Sequence, residues 1–347
     1  MVQAIFLPAE VGRIFAYKSL APIGRARRRR VAEQSGAMEG LGPRNPGKRV
    51  IIGTCALHWR QGVKKHTLQK RKRSKMDFLP EGIAGKKQMQ ALADKYENAD
   101  FIKNDPSQFM HRFSAVEDIE LVAFLAANLA FGRRDQIISH VQMILDQTKG
   151  HPSEWVLSGA YKSFFPESDK SFYRMFSFRT MRIFFDVLRS ILKQSSSLGD
   201  FFHAEFLKAC KEADSFSRKI ARAHSGCLLL SKVIASFFPK ECSIIPHGES
   251  SADKRLQMFL RWMVRDSSPV DMGLWKWYKK TDLLIPLDTH VMQEATRLGF
   301  LPPASSGKCR AASLKTAVEL TDKMRQYFPD DPCRADFALF GLGVDKA

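Results

Sequence analysis

The stretch SAVEDIELVAFLAANLAFG, Ser114 to Gly132, reads as a helix that is apolar on every side. Ser114 and Glu117 form a Ser-x-x-Glu capping-box pattern at its start, and Gly132 is suited to ending it. A helix without a polar face belongs in the interior. The segment is therefore expected to be buried in the core of an all-α body.

The helical period continues outward from it. In DQIISHVQMILDQTKG (135–150), Ile137, Ile138, Val141, Ile144 and Leu145 recur at i, i+1, i+4, i+7 and i+8, and Gly150 stops the run. RTMRIFFDVLRSILKQ (179–194), LGDFFHAEFLKAC (198–210), FSRKIARAHSGCLLLSKVIASFF (216–238) and SADKRLQMFLRWMVRD (251–266) add further helices. AASLKTAVELTDKMRQYF (311–328) and PCRADFALFGLG (332–343) follow, the latter with Pro332 at a first-turn position. About nine or ten helices are expected, with no run of alternating strands and no internal repeat. The sequence has no G-x-G-x-x-G loop, no P-loop and no G-x-S-x-G elbow, which argues against the common nucleotide-binding and hydrolase folds.

Charge divides the chain. The net charge is +19 over 347 residues, yet residues 1–75 hold 18 Lys+Arg against 3 Asp+Glu, a net +15. Residues 76–347 carry the remaining 37 Lys+Arg and 33 Asp+Glu, only +4. GRARRRR and KKHTLQKRKRSK are self-repelling blocks, so 1–75 is expected to be a disordered basic leader. A nucleic-acid arm, a targeting presequence and sequence upstream of the natural start at Met76 compete as explanations, and the last is favoured. The body is then 76–347. No apolar run reaches the ~18 residues that span a bilayer, so no membrane is expected. The six cysteines lack zinc-ribbon or iron–sulfur spacing, and no secretory signal precedes them. Free thiols in a cytoplasmic protein, with no metal and no cofactor, are the expectation.

Several residues could carry chemistry. Asp288 follows the apolar LLIPL and precedes THVMQEATRLG, which makes it a helix N-cap bonding the amide of Val291 or its neighbour. A carboxylate so held is also rigid and placed to stabilise a developing cation. Lys254 stands in the first turn of a helix starting near Ser251 or Ala252, as a solvated lysine or as a nucleophilic amine. On that helix Ala252, Leu256, Phe259, Leu260 and Met263 form the core face, and Lys254, Met258, Arg261 and Arg265 line another. Trp275, Trp277 and Tyr278 interleave with lysines, either to stack bases or to fill the core from a short amphipathic helix. Arg133, Arg134 and Gln136 lie on a turn, able to touch phosphate or to be plain surface. The histidines form no metal-binding pattern.

DPSQFMHRF (105–113), EDIELVAFLAANLAFGRRDQI (117–137), SADKRLQMFLRWMVRDSSPVDMGLW (251–275), LIPLDTHV (284–291) and DPCRADFALFGLG (331–343) together resemble an uncharacterised bacterial family of unknown function, over roughly residues 90–345. More distantly, a lysine, a Pro-x-Asp opening a helix and a closing helix with ALFGLG are similar to the helix-hairpin-helix DNA glycosylases. The spacing of Lys254, 34 residues before Asp288, is nearest the archaeal 8-oxoguanine type. That resemblance implies a two-lobed all-α fold and damaged duplex DNA as partner. It also implies a catalytic pair of Lys254 and Asp288, and a duplex-inserting turn at Arg133, Arg134 and Gln136. The usual Leu-Pro-Gly-x-Gly hairpin is absent. IIPHGESSADK replaces it, with His247, Gly248 and Ser250 as an alternative phosphate cradle. Arg255 and Arg261 join the expected nucleic-acid contacts.

The expected function is therefore DNA-repair base excision with abasic-site cleavage through a lysine Schiff base, by a monomer. A non-catalytic nucleic-acid-binding protein on the same fold, and an enzyme on RNA or a nucleoside, are the rivals. The joint role requires Lys254 and Asp288 within about 10 Å, since both must reach one sugar carbon directly or through one water.

Overall fold

The computed structural model describes residues 85–216, 225–248 and 250–344. The basic leader 1–75, its boundary at Met76 and part of the 216–238 segment lie outside them. In chain order the helices are α1 (Lys86–Tyr96), α2 (Ala99–Ile102), α3 (Val116–Leu129), α4 (Arg134–Gln147), α5 (Pro152–Ser158), α6 (Tyr161–Phe164), α7 (Phe178–Leu192), α8 (Leu198–Phe216), α9 (Ser225–Ser236), α10 (Lys254–Val264), α11 (Thr289–Arg297), α12 (Leu314–Arg325) and α13 (Ala335–Val344). Short 3-10 turns cover Pro106–Arg112, Lys280–Asp282 and Pro332–Arg334. The all-α expectation holds, and the larger number of helices reflects single-turn pieces such as α2 and α6. No described helix is long and apolar enough to cross a membrane.

The fold is built around α3, every residue of which from Ile119 to Leu129 is buried. Phe124 stacks on Phe184 of α7 at 5.7 Å and meets Phe259 of α10 edge-on at 4.9 Å, so one side chain joins three helices. The expected Ser114–Glu117 capping box does not form. The helix starts at Val116 with Ala115 as its cap, so Ser114 falls one residue too early for its hydroxyl to reach the first amides. Asp118 instead turns outward and accepts the amide of Ser153 at 2.8 Å, tying α5 to α3.

Glu120 is the one acidic residue buried within α3. Its two oxygens accept the indole N–H of Trp275 and the amide of Gly199, each at 2.7 Å, which docks the first turn of α8 onto α3. Burial pushes the Glu120 carboxyl pKa up, against these hydrogen bonds, which pull it down. Gly199 is required by this close approach, because a Cβ there overlaps Glu120 Oε1 and Trp275 Nε1. Gly199→Ala is expected to destabilise the fold by about 1–3 kcal/mol, read as a lowered urea midpoint. An unchanged midpoint would mean that the clamp relaxes freely.

A two-stranded hairpin interrupts the helices. Its strands β1 (Ser171–Tyr173) and β2 (Phe176–Ser177) pair antiparallel, Tyr173 opposite Phe176. Strands of three and two residues are too short to show a period, so no alternation marks them in the sequence. The Tyr173 hydroxyl donates to the carbonyl of Phe131 at 2.6 Å, and the Arg174 guanidinium lies 4.8 Å over the Phe131 ring. These contacts pin the hairpin to the α3–α4 turn. Gly132 at the centre of that turn has φ +112, and a Cβ there would stand 2.7 Å from Arg174 Nη1.

Candidate active site

Asp288 is placed from both sides. Before it, Leu283, Leu284 and Ile285 are fully buried, and the Ile285 amide donates to Thr321 Oγ1 at 3.1 Å. Pro286 fixes its own φ and needs no acceptor. After it, α11 begins. Asp288 is the N-cap, with Oδ1 accepting the Val291 amide at 2.9 Å and its carbonyl accepting Met292 N–H at 2.9 Å. One carboxylate oxygen is thus committed to the helix, and Oδ2 is left for partners outside it.

Lys254 is the first residue of α10. The preceding Asp253 takes a left-handed conformation, φ +46, and its side chain does not cap the helix. Its amide donates to Ser251 Oγ, and Ser251 forms an isolated bridge with Ser313. The helix therefore starts two or three residues later than expected, while the expected core face is kept, with Leu256, Phe259, Leu260 and Met263 all inaccessible. Lys254 Nζ stands 3.5 Å from Asp288 Oδ2, the lysine side chain 34% exposed and the aspartate 14%. His290 Nδ1 lies 3.9 Å from the same oxygen. The pair lies well within the 10 Å requirement, at the edge of solvent.

The start of α4 and the start of α11 share a neighbour on α13. Arg134 lies 5.9 Å over the Phe340 ring, and His290 packs against the same ring at 6.0 Å. Arg133 is exposed and paired with Asp135, and Gln136 is exposed. Phe131 and Met175 on the turn and hairpin are among the most exposed large apolar side chains, at 41% and 62%.

Other expected contacts do not assemble. Arg255 points inward: Nη1 donates to the carbonyl of Asn128 at 3.0 Å, the guanidinium lies over Phe176, and burial lowers its pKa from the usual range. Arg261 is buried at 4% exposure between carboxylates, so it serves the interior rather than a polyanion. Trp275 and Tyr278 are core residues, at 1% and 5% exposure, in a loop rather than a short amphipathic helix. Burial removes them from any surface where a base could stack. Trp277 is half-buried and stacked on His203 at 4.4 Å. A cavity of about 300 Å³ opens beside Glu117, Glu120, Asp200 and Trp277, and neither Lys254 nor Asp288 lines it. In the 242–253 loop, Ser250 is exposed and its carbonyl is taken by the Leu314 amide, while Gly248 O accepts Lys232 Nζ. His247 Nε2 is buried without a hydrogen-bond partner.

Pattern reading missed a chain of charge running inward from the pair. Arg261 and Arg265 share a face of α10 with Lys254, at spacings of 7 and 11. Arg261 pairs with Asp336 of α13 and with Asp271. Arg265 pairs with Asp271, with Asp331 at 2.7 Å and with Glu97 at 2.8 Å, and Arg334 closes the far end on Glu97 and Asp94. One signal was present: an arginine on a helix that packs into the core needs acidic partners, and DPCRAD supplies two. Among the described residues, no group of three or more His, Cys, Asp or Glu is arranged to hold a metal ion.

No curated protein and no solved structure matches the chain. A family profile does, over residues 105–345, a span that holds Lys254, Asp288 and all of α3 and α10–α13. The chain belongs to the family described as "Protein of unknown function (DUF2400)".

Proposed function

We propose that the protein is a DNA base-excision enzyme with abasic-site lyase activity, in which Lys254 is the nucleophile and Asp288 the electrostatic partner. The observation that carries this reading is the 3.5 Å approach of an accessible lysine amine to a carboxylate already immobilised by a helix N-terminus. Imine chemistry needs an amine next to a group that can accept and return a proton. A carboxylate fixed by backbone amides needs little reorganisation when a cationic sugar develops beside it.

The surroundings fit a nucleic-acid partner. Arg174 lies over exposed Phe131, Arg133 and Arg134 follow Phe131 in the turn, and Met175 is exposed on the hairpin. Cations that hold phosphates beside apolar side chains that enter a base step are the combination used to bend a duplex and expose a nucleotide. The distant likeness to helix-hairpin-helix glycosylases points the same way, although the phosphate-binding hairpin of that superfamily is replaced here.

The test is borohydride trapping of the full chain on duplexes carrying an abasic site, 8-oxoguanine, uracil or an oxidised pyrimidine. A covalent adduct on at least one duplex is expected. A folded protein that binds these duplexes and traps none would make it a binding protein without lyase chemistry.

Arg133→Ala and Arg134→Ala are expected to weaken duplex binding by roughly equal factors on every sequence and to lower its salt dependence by about one counterion each. Titration of a labelled duplex at two salt concentrations reads this. An unchanged salt slope would take the turn out of the interface.

A further inference from the structure

A lyase built on Lys254 and Asp288 has one proton that neither residue is placed to take. Once the amine has become an imine, its nitrogen is bonded to C1′ of the sugar and no longer serves as a base. Asp288 Oδ1 is held by the Val291 amide, and Oδ2 is engaged by the cationic nitrogen beside it. Strand cleavage still requires removal of a proton from C2′, the carbon next to the imine, and that step needs a base within contact distance. Arg134, on the neighbouring Phe340 ring, is permanently charged and has no lone pair to offer.

His290 has one. It lies in the first turn of α11, two residues after Asp288, and its side chain is 43% exposed. Nδ1 stands 3.9 Å from Asp288 Oδ2, the oxygen that Lys254 Nζ approaches to 3.5 Å. The two nitrogens are therefore no further apart than those distances laid end to end, and C2′ is only two bonds from Nζ once the imine forms. At 3.9 Å no hydrogen bond joins Nδ1 to the carboxylate, so the ring nitrogen is not spent on Asp288. Carbon contacts hold the ring instead. Phe340 meets it edge-on at 6.0 Å, and α13 comes so close at Gly343 that a Cβ there would stand 2.8 Å from the His290 Cβ. Packing thus fixes the side chain while a nitrogen is left for a substrate, and imidazole is the side chain most used as a general base.

We infer that His290 is the catalytic base of the strand-cleaving step, a role that rests on the function proposed above. With the neutral ring carrying its proton on Nε2, Nδ1 takes the proton from C2′ of the Lys254 imine. The C2′–H electron pair becomes the C1′=C2′ bond of an enamine, and the C=N pair returns to the lysine nitrogen. That nitrogen pair then re-forms the C=N bond. The C1′=C2′ pair moves to C2′=C3′, and the 3′ phosphate leaves with the C3′–O pair. Water finally releases the unsaturated aldehyde from Lys254. The imidazolium forms beside Asp288 Oδ2, whose charge stabilises it, and its exposure lets it pass the proton to solvent. One aspartate oxygen thus serves two neighbours in turn, the lysine nitrogen and the histidine ring.

Single-turnover reactions of the full chain on a duplex with one abasic site separate the two steps. Borohydride trapping counts the imine, and strand nicking counts the elimination. Two variants are compared with the wild type. His290→Gln keeps a polar side chain without a basic nitrogen, and His290→Ala leaves room for a small base from solution. At an exposed position both should keep the wild-type urea midpoint. In both, trapping should stay within about twofold of wild type while nicking slows by roughly 10²–10³-fold. Added imidazole should restore nicking in part to His290→Ala, and more basic substituted imidazoles should restore it faster. Nicking at the wild-type rate in both variants overturns the inference and leaves the function standing. Slow nicking that no imidazole restores, or an equal fall in trapping and nicking, reduces His290 to a structural residue and also overturns it. Weaker duplex binding with an unchanged ratio of nicking to trapping would make His290 a phosphate contact instead. A wild type that traps on no duplex sinks the function, and this role with it.

Discussion

Arg265→Ala is expected to destabilise the body by about 3–5 kcal/mol, enough to leave a marginal domain largely unfolded near physiological temperature. The Arg265 side chain is 2% exposed and binds Asp271, Asp331 and Glu97 at once, with the Phe337 ring 5.3 Å from its guanidinium. Removing it leaves Asp331 without its arginine and leaves Asp271 and Glu97 with one cation each, Arg261 and Arg334, in a largely buried place, and that penalty exceeds the value of the pairs themselves. The same contacts join α10 to the end of α1 and to the turn before α13, so the loss is not local. Arg133→Ala is the control, since its pair with Asp135 is exposed and worth under ~1 kcal/mol. Urea midpoints of the two variants decide the matter. A cost for Arg265→Ala as small as the control's would show that the chain of charge adds nothing to stability.

Lys254→Ala and Asp288→Asn are expected to remove activity without removing the fold. Loss of the nucleophile should lower imine trapping on the order of 10³-fold or more, to background. The asparagine variant separates two duties of one side chain. Asparagine caps a helix about as well as aspartate, so the Val291 amide keeps its acceptor and stability should change by no more than about 0.5 kcal/mol. The charge beside Lys254 Nζ is nevertheless gone, and base release should slow by roughly 10²–10³-fold. A variant that melts early would mean that the negative charge at the helix start was structural. One that cleaves at the wild-type rate would reduce Asp288 to a cap.

What the sequence could say depended on range. The apolar α3, the core face of α10 and the cap at Asp288 were legible because each is written within a few residues. The meeting of Lys254 with Asp288 was not legible from pattern; only a family resemblance suggested it. Arg261 and Arg265 fall on one face of α10 with Lys254, but three of their four partners lie 75, 66 and 168 residues away. Local periodicity cannot distinguish a basic stripe turned to solvent from one turned to distant carboxylates. Trp275 and Tyr278, with lysine-rich neighbours, stay open in the sequence between a base-stacking surface and the core, and burial decides for the core. Ser114 failed for a smaller reason, since helix ends are fixed by a one-residue register that a motif does not resolve.

The Arg334 contact with Glu97 has a further consequence, for synthesis. Its partners are 237 residues apart, and α1 lies against α13. A ribosome makes α1 long before α13 exists, so the emerging chain carries one helix without its packing partner until the last turn is out. Asp336 and the bonds of Arg334 arrive only then. The charge network is therefore complete only once α13 has been made, and a chain cut short before Asp331 carries Lys254 and Asp288 without Asp331, Arg334 and Asp336.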